Sequence, residues 1–306
     1  MRLFSISAGI HLVFAMAGLC MTSTAHAKEV QVEASSAWNL DYAANKCRLA
    51  REFGGDDNRH ILVIEQYAPG RGFQLFVAGP SLRRYRHREP TDVSFSDSHE
   101  PFRTEPSLGD MNEVGKALIF PAIGLGDLGQ SAPEEGEEEA QEEEQTWLLF
   151  QDRQLNVEAA QSAQFIAFRQ GRRKTTFATG SLGAAFEALN NCTIDLMRDW
   201  GLDIEAHSTA RSPPSWINQS AIARRIVDDY PRRALIRGEQ GFIFMRAIIE
   251  PDGSVSDCAL LKLTDADALE SPACDAMTDA RFEPALDAEG NPFRSFYLTI
   301  ISYLSE

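Results

Sequence analysis

Few side chains in this chain have the type and spacing that catalysis requires. Four histidines follow residue 27 and share no motif: His60, His87, His99 and His207. Ser181 lies between glycines in Gly180-Ser181-Leu182-Gly183, but helix capping explains it, and the spacing differs from the Gly-x-Ser-x-Gly turn of a catalytic serine. The sequence contains neither a phosphate-binding loop nor a dinucleotide fingerprint. We therefore expect no enzyme and no small-molecule cofactor; a hydrolase that uses Ser181 is the third interpretation.

The first 27 residues have the pattern of a secretory signal. Arg2 precedes an apolar run from Leu3 to Met21, and Ala25-His26-Ala27 matches the small-residue site at which such signals are cut. We expect cleavage after Ala27, which would export the mature chain to the periplasm.

The cysteines of the mature chain predict covalent cross-links. Four of them follow residue 27, and an even number in an exported chain is typical of a disulfide framework. Of the three pairings that four cysteines allow, the most economical joins Cys258 to Cys274 and Cys47 to Cys192. No two cysteines have the short spacing of a structural zinc site, and no paired histidines lie nearby, so we expect no metal centre.

Composition and charge indicate a globular protein that does not bind nucleic acid. The 306 residues are 43% hydrophobic, carry a formal charge of −16 and could hold about two domains. Eight glutamates between Glu134 and Glu144 account for half of that charge, and the run 131–145 is too polar to bury. We expect it to be a disordered surface insertion. The basic cluster 83–88 is interpreted as a solvated loop or edge strand.

Residues 28–204 are predicted to form one β-rich domain with one packing helix. Apolar and alternating runs indicate strands at Ile61–Tyr67, Phe73–Gly79, Asp92–Phe95, Lys116–Phe120, Trp147–Phe150, Phe165–Arg169 and Thr175–Gly180. The helix is expected from Leu182 to about Trp200, with Ser181 as its cap and Gly201 at its end. Pro213-Pro214 then favours a linker over residues 205–217.

The remaining residues predict a small α+β module. Strands are expected at Gly241–Glu250 and Ser254–Leu263, joined by the turn Pro251-Asp252-Gly253. Ser271-Pro272 marks the start of a helix that ends by Pro284. The last strand runs from Phe293 to Leu304 and alternates its side chains between two faces.

Several short motifs of this module, in this order and spacing, resemble the C-terminal domain of TonB, a family of energy-transducing envelope proteins. They are Tyr230-Pro231, Gly241-Phe242, Asp252-Gly253, Cys258, Cys274, Arg281-Phe282-Glu283-Pro284-Ala285 and Gly290-Asn291-Pro292. The most specific is Arg-Phe-x-Pro-Ala followed by Gly-x-Pro. The resemblance implies a non-enzymatic domain over residues 218–306, with the order helix, strand, strand, helix, strand.

The same resemblance implies an envelope or outer-membrane protein as the partner, bound by strand addition at an exposed sheet edge. The last strand is the candidate edge, and its partner-binding candidates are Phe296, Tyr297, Thr299, Ile301 and Tyr303. Self-association through this strand is left open as an alternative.

Ser7 and His11 leave a second interpretation open. Their spacing in the apolar run resembles the Ser-x-x-x-His of the TonB membrane anchor, and an ionisable residue in a membrane helix indicates function. The leader would then stay in the inner membrane, facing the periplasm, and the protein would be an energy transducer for transmembrane transport. Against this, the run is barely long enough to span a membrane, and a long proline-rich spacer is missing.

Overall fold

The computed structural model describes residues 28–97, 100–111, 113–125, 154–229, 241–262 and 271–303, together with residues 232 and 236. Several sequence-based observations lie outside the described residues: the leader 1–27 with Ser7 and His11, His99, the glutamate-rich insertion 131–145, the strand Trp147–Phe150 and the Tyr230-Pro231 motif. The described chain contains both helices and many strands, with a β-rich N-terminal part and a C-terminal sheet that carries helices, which confirms the predicted α+β class.

The N-terminal domain contains two sheets. The first is antiparallel and six-stranded, with the spatial order β2 (Asn39–Ala43), β3 (Lys46–Phe53), β4 (His60–Gln66), β5 (Gly72–Ala78), β9 (Lys116–Gly124) and β8 (Ser107–Asp110). The second has five strands, in the order β1 (Lys28–Glu33), β11 (Arg173–Ala178), β10 (Ile166–Gln170), β6 (Thr91–Ser94) and β7 (Phe102–Thr104). Only the β1–β11 pair of this second sheet is parallel.

The two sheets face each other across one apolar core. Phe53 of β3 meets Phe177 of β11 edge-on, with ring centroids 5.2 Å apart, and Phe120 of β9 stacks on Phe168 of β10 at 5.5 Å. All four rings are fully buried. Buried aromatic rings of this size contribute much of the apolar area that holds two sheets together.

The predicted packing helix is present as α2 (Gly183–Asp199), preceded by the short α1 (Val157–Ser162). Ser181 accepts a hydrogen bond from the N–H of Gly183 at 3.3 Å, so this serine satisfies a donor at the helix start. Gly201 ends the helix with φ at +70°, a conformation that glycine adopts without steric cost.

Both predicted disulfides are present. Cys47 of β3 bonds to Cys192 of α2, with 6.0 Å between their Cα atoms, so the helix is tied to the six-stranded sheet. Cys258 bonds to Cys274 within the C-terminal module, with 5.5 Å between Cα atoms.

The C-terminal module is a three-stranded antiparallel sheet with helices on one face. In space the order is β14 (Val255–Lys262), β13 (Gly241–Ile249) and β18 (Ser295–Tyr303). The helices are α4 (Gln219–Asp228) and α5 (Ala273–Met277). They pack on one side of β13 through a shared apolar cluster. The predicted order of helix, strand, strand, helix, strand is confirmed.

The second helix of the module is shorter than predicted. It ends at Met277 rather than close to Pro284, and Phe282 lies in the two-residue strand β15 (Phe282–Glu283). This strand pairs with β12 (Ser215–Trp216), and the Phe282 ring stacks on Trp216 at 5.5 Å. A partner more than sixty residues away in the chain overrides the local helical pattern, as tertiary pairing often does.

The segment 205–217, predicted as a linker, contains regular structure. It contains most of the short helix α3 (Ile204–Ser208) and all of β12. The buried His207 of α3 packs against Phe293 and Phe296, with ring centroids 4.9 and 5.8 Å away. Two further strands, β16 (Ala285–Leu286) and β17 (Pro292–Phe293), form a small hairpin before β18.

Candidate partner-binding surface

The candidate edge strand β18 lies at one side of the three-stranded sheet. It pairs with β13 along its whole length, from Gly241 opposite Tyr303 to Ile249 opposite Ser295. Among the described residues, no strand pairs with the other side of β18. Every second residue of an edge strand directs its N–H and C=O away from the sheet, where they can pair with another chain.

The composition of β18 does nothing to block such pairing. Its sequence, Ser-Phe-Tyr-Leu-Thr-Ile-Ile-Ser-Tyr, contains no charged residue and no proline. Natural edge strands are usually protected by charges, prolines or bulges. The nine residues of β18 have none of these protections.

The side chains of β18 pack inward on both faces. Tyr297, Ile301 and Tyr303 join the apolar cluster under the helices, and the Tyr303 hydroxyl lies 2.7 Å from that of Ser271. Phe296 faces the N-terminal domain and is only 3% exposed.

The five predicted partner-binding residues therefore belong to one strand but occupy two faces. Phe296 and Tyr303 are buried, and Tyr297, Thr299 and Ile301 are half-buried. What this strand can offer a partner is chiefly its backbone edge, with half-buried side chains beside it.

Sequence reasoning missed the contact between this sheet and the N-terminal domain. The Phe244 ring of β13 stacks on Tyr67 at 4.6 Å, and Arg246 places its guanidinium over the ring of Trp200, 4.3 Å from the centroid. The sequence signal for this contact is the lack of alternation in β13, which carries large side chains on both faces, because a strand with two apolar faces is buried on both.

Arg246 is a buried cation in this contact. It is 5% exposed and donates to the Asp257 carboxylate at 2.8 Å and to the Asn45 amide oxygen at 3.2 Å. A buried charge requires such partners, because its desolvation is costly when it is left alone.

Tyr67 contributes a polar network on the N-terminal side. Its hydroxyl donates to the buried Glu65 carboxylate at 2.7 Å, and Glu65 also accepts from Lys46 and Arg48. Burial raises the pKa of the Tyr67 hydroxyl, and the neighbouring Glu65 charge raises it further. The phenol therefore stays protonated and remains a donor at physiological pH.

Glu250, directly after the central strand β13, bonds to Ser256 of β14 and to Arg294, which precedes β18. Its carboxylate accepts from Ser256 at 2.5 Å and from Arg294 at 2.9 Å. The Ser256 hydrogen bond and the Arg294 guanidinium lower the pKa of Glu250 below its usual value.

Within the described ranges, no group of three or more histidine, cysteine or acidic side chains could hold a metal ion. No helix there has the length and apolar character needed to cross a bilayer. The N-cap of α2 is Leu182 rather than the predicted Ser181, although the Ser181 hydroxyl accepts from the N–H of Gly183 at the start of α2. The described histidines lie apart: His60 in β4, His87 between β5 and β6, and His207 in α3.

The chain was compared with curated proteins and with models of protein families. A comparison of the chain with curated proteins gave no match. A scan against family models matched only the C-terminal part of the chain. Residues 228–303 match the family described as Gram-negative bacterial TonB protein C-terminal, which confirms the resemblance carried by the Arg281–Ala285 and Gly290–Pro292 motifs.

Proposed function

We propose that this protein is a non-enzymatic periplasmic interaction protein that binds an envelope or outer-membrane protein by strand addition at β18. The module is a TonB-like protein-interaction module, and such domains interact with envelope proteins in general. The specific mode of binding, the periplasmic location and the identity of the partner belong to the proposal.

The observation that supports the proposal is the uncharged edge of β18, on whose outer side no described strand pairs. Backbone hydrogen bonds to this edge would supply affinity, and side chains of the added strand would supply specificity. The half-buried Tyr297, Thr299 and Ile301 lie where alternate side chains of an added strand would pass. Phe296 and Tyr303 would keep β18 in place from its two faces.

Two proline variants test the proposal because neighbouring residues of β18 direct their N–H groups alternately towards β13 and away from it. Of Thr299→Pro and Ile300→Pro, one removes a hydrogen bond to β13 and the other removes only an outward donor. The outward variant is identified by an unfolding free energy close to that of the wild type.

Each protein is used as bait against solubilised outer membranes of a Gram-negative bacterium. We expect the folded, outward proline variant to capture at least about tenfold less of the partner, since backbone pairing supplies the affinity. A folded edge variant that captures the partner as well as the wild type does would overturn the proposal.

A second candidate function is favoured by the Ser7 and His11 spacing. In this alternative the leader is retained, and the protein is an inner-membrane energy transducer. Intact mass of the protein from the envelope fraction separates the two. A chain that begins at Lys28 supports the periplasmic protein, and a membrane-bound chain that retains Met1 supports the transducer.

A further inference from the structure

We propose that the N-terminal domain is a platform that holds the β18 edge in a fixed position, and that Trp200 is its main positioning residue. This inference rests on the proposed function, because it assigns a role to contacts that lie behind the same edge. It gives the N-terminal domain a part in partner binding without direct contact with the partner.

Trp200 contacts two neighbouring strands of the sheet. Its ring lies under the Arg246 guanidinium of β13 at 4.3 Å and meets the Phe296 ring of β18 at 5.9 Å. A cation–π contact and an aromatic pair each stabilise an interface. One side chain of the N-terminal domain therefore fixes the edge strand relative to the central strand.

The backbone at the end of α2 fixes the start of β18. The N–H groups of Gly201 and Leu202 bond back to the carbonyls of Arg198 and Met197, which closes the helix. The next carbonyls, those of Trp200 and Gly201, accept hydrogen bonds from Arg294 at 2.7 and 3.1 Å. A cation at a helix C-terminus is electrostatically favoured, and Arg294 immediately precedes β18.

The platform is itself braced by a disulfide. Cys192 lies two helical turns before Trp200, and its partner Cys47 lies two residues after Asn45. Asn45 accepts a hydrogen bond from Arg246, and Trp200 lies against its guanidinium. The Cys47–Cys192 bond therefore joins the two elements that hold the sheet.

Positioning matters because strand addition requires the whole edge to be ordered. A β18 strand that tilts or frays must be ordered on binding, and that entropy cost is subtracted from affinity. With one face packed on the helices and the other on the platform, β18 presents its edge already ordered. The small buried cluster around Phe296 supports this, since it includes Met197, Leu202 and Ile248 from both domains.

The test uses the full chain with Trp200→Ala, and Trp200→Phe as the conservative control that keeps a ring. Two quantities are measured: amide hydrogen exchange along β18 without any partner, and binding of a labelled, lysine-flanked synthetic copy of Ser295–Tyr303. We expect Trp200→Ala to speed exchange of the β18 amides that pair with β13 about tenfold and to weaken binding about tenfold. Trp200→Phe should restore both to within about threefold of the wild type.

The outcomes separate this inference from the proposed function. Unchanged exchange and binding in a Trp200→Ala, Arg294→Ala double variant would overturn the platform. Faster exchange with unchanged binding would also overturn it, and would leave strand addition intact. If the wild-type chain does not bind the synthetic strand, that result counts against strand addition. The exchange of the β18 amides then tests by itself whether Trp200 positions the strand.

Discussion

The two edges of the C-terminal sheet are built in opposite ways. The β14 edge carries Asp257 and Lys262, its register against β13 shifts at Ile249, and the Cys258–Cys274 bond ties it to α5. The β18 edge is regular and uncharged along its whole length. Charges and bulges prevent the association of edge strands, so the described part of β14 has protections that β18 lacks. We expect a partner to add on the β18 side.

The largest expected effect comes from removing the disulfide of the protected edge. The Cys258→Ala, Cys274→Ala double variant should lose about 3 kcal/mol of unfolding free energy, because the bond closes a short loop in the unfolded chain. Denaturant titration measures this loss, with hydrogen exchange to locate it. We expect exchange to rise most in β14, and a loss below about 1 kcal/mol would contradict the role given to this bond.

Asp257 should have the next largest effect. Asp257→Ala removes the carboxylate that pairs with Arg246 and leaves a buried cation with fewer partners, at a cost of about 2 kcal/mol. Thermal unfolding of this variant is compared with that of Asp275→Ala, which removes an exposed carboxylate from α5. Equal stability of the two variants would show that the ion pair between Arg246 and Asp257 does not stabilise the fold.

A charge placed on the open edge should remove the asymmetry while leaving the fold intact. Thr299→Lys is expected to cost less than about 1 kcal/mol in stability, because half-buried edge positions tolerate a long charged side chain. Capture of the envelope partner should nevertheless be lost, since edge lysines prevent strand addition. Thr278→Lys, at an exposed position after α5, is the matched control and should capture normally.

The smallest effect concerns pH. Because the folded-state pKa of Glu250 is lowered below its usual 4.5, its ionised form stabilises the fold. That contribution is present above pH 4.5 and is lost as the pH falls through the lowered pKa. Glu250→Gln should therefore flatten the decline of stability with acidification, measured by thermal unfolding from neutral to acidic pH. If the dependence of thermal stability on pH stays unchanged, the hydrogen bonds of Glu250 to Ser256 and Arg294 contribute nothing to the unfolding free energy.

Local patterns predicted the module better than its surroundings. The apolar run at Gly241–Ile249, alternation in Ser295–Tyr303 and the turn at Asp252-Gly253 sufficed to place the three strands. The turn also gives the local β13–β14 pairing, whereas the β13–β18 pairing joins distant parts of the chain. Gly253 has φ at +80°, and a Cβ there would lie 2.0 Å from the Phe282 carbonyl oxygen, so only glycine fits this turn.

The N-terminal domain was predicted less completely. The strands β4, β5, β6, β9, β10 and β11 agree in position with the predicted runs, whereas β1, β2, β3, β7 and β8 were not predicted. Several of the latter are short or carry charges on their outward face, as Lys46 and Arg48 do in β3. Their stability comes from pairing with neighbouring strands, which local periodicity does not report.

The platform contact could not be predicted from the sequence at all. Trp200 and Arg246 are far apart in the chain, and neither lies in a motif. Their meeting depends on the way two domains dock, which is decided by the shape and burial of assembled surfaces. The cysteines did predict one nearby feature. The expected disulfide between Cys47 and Cys192 is present and lies behind this contact.

Hydrogen exchange of single amides along β18 in the free wild-type protein tests the central claim most directly. If the edge is open, every second amide from Ser295 to Tyr303 should exchange rapidly while the alternate amides and those of β13 stay protected. Uniform protection of all the β18 amides would mean that another strand already covers the edge, and this result would contradict the account.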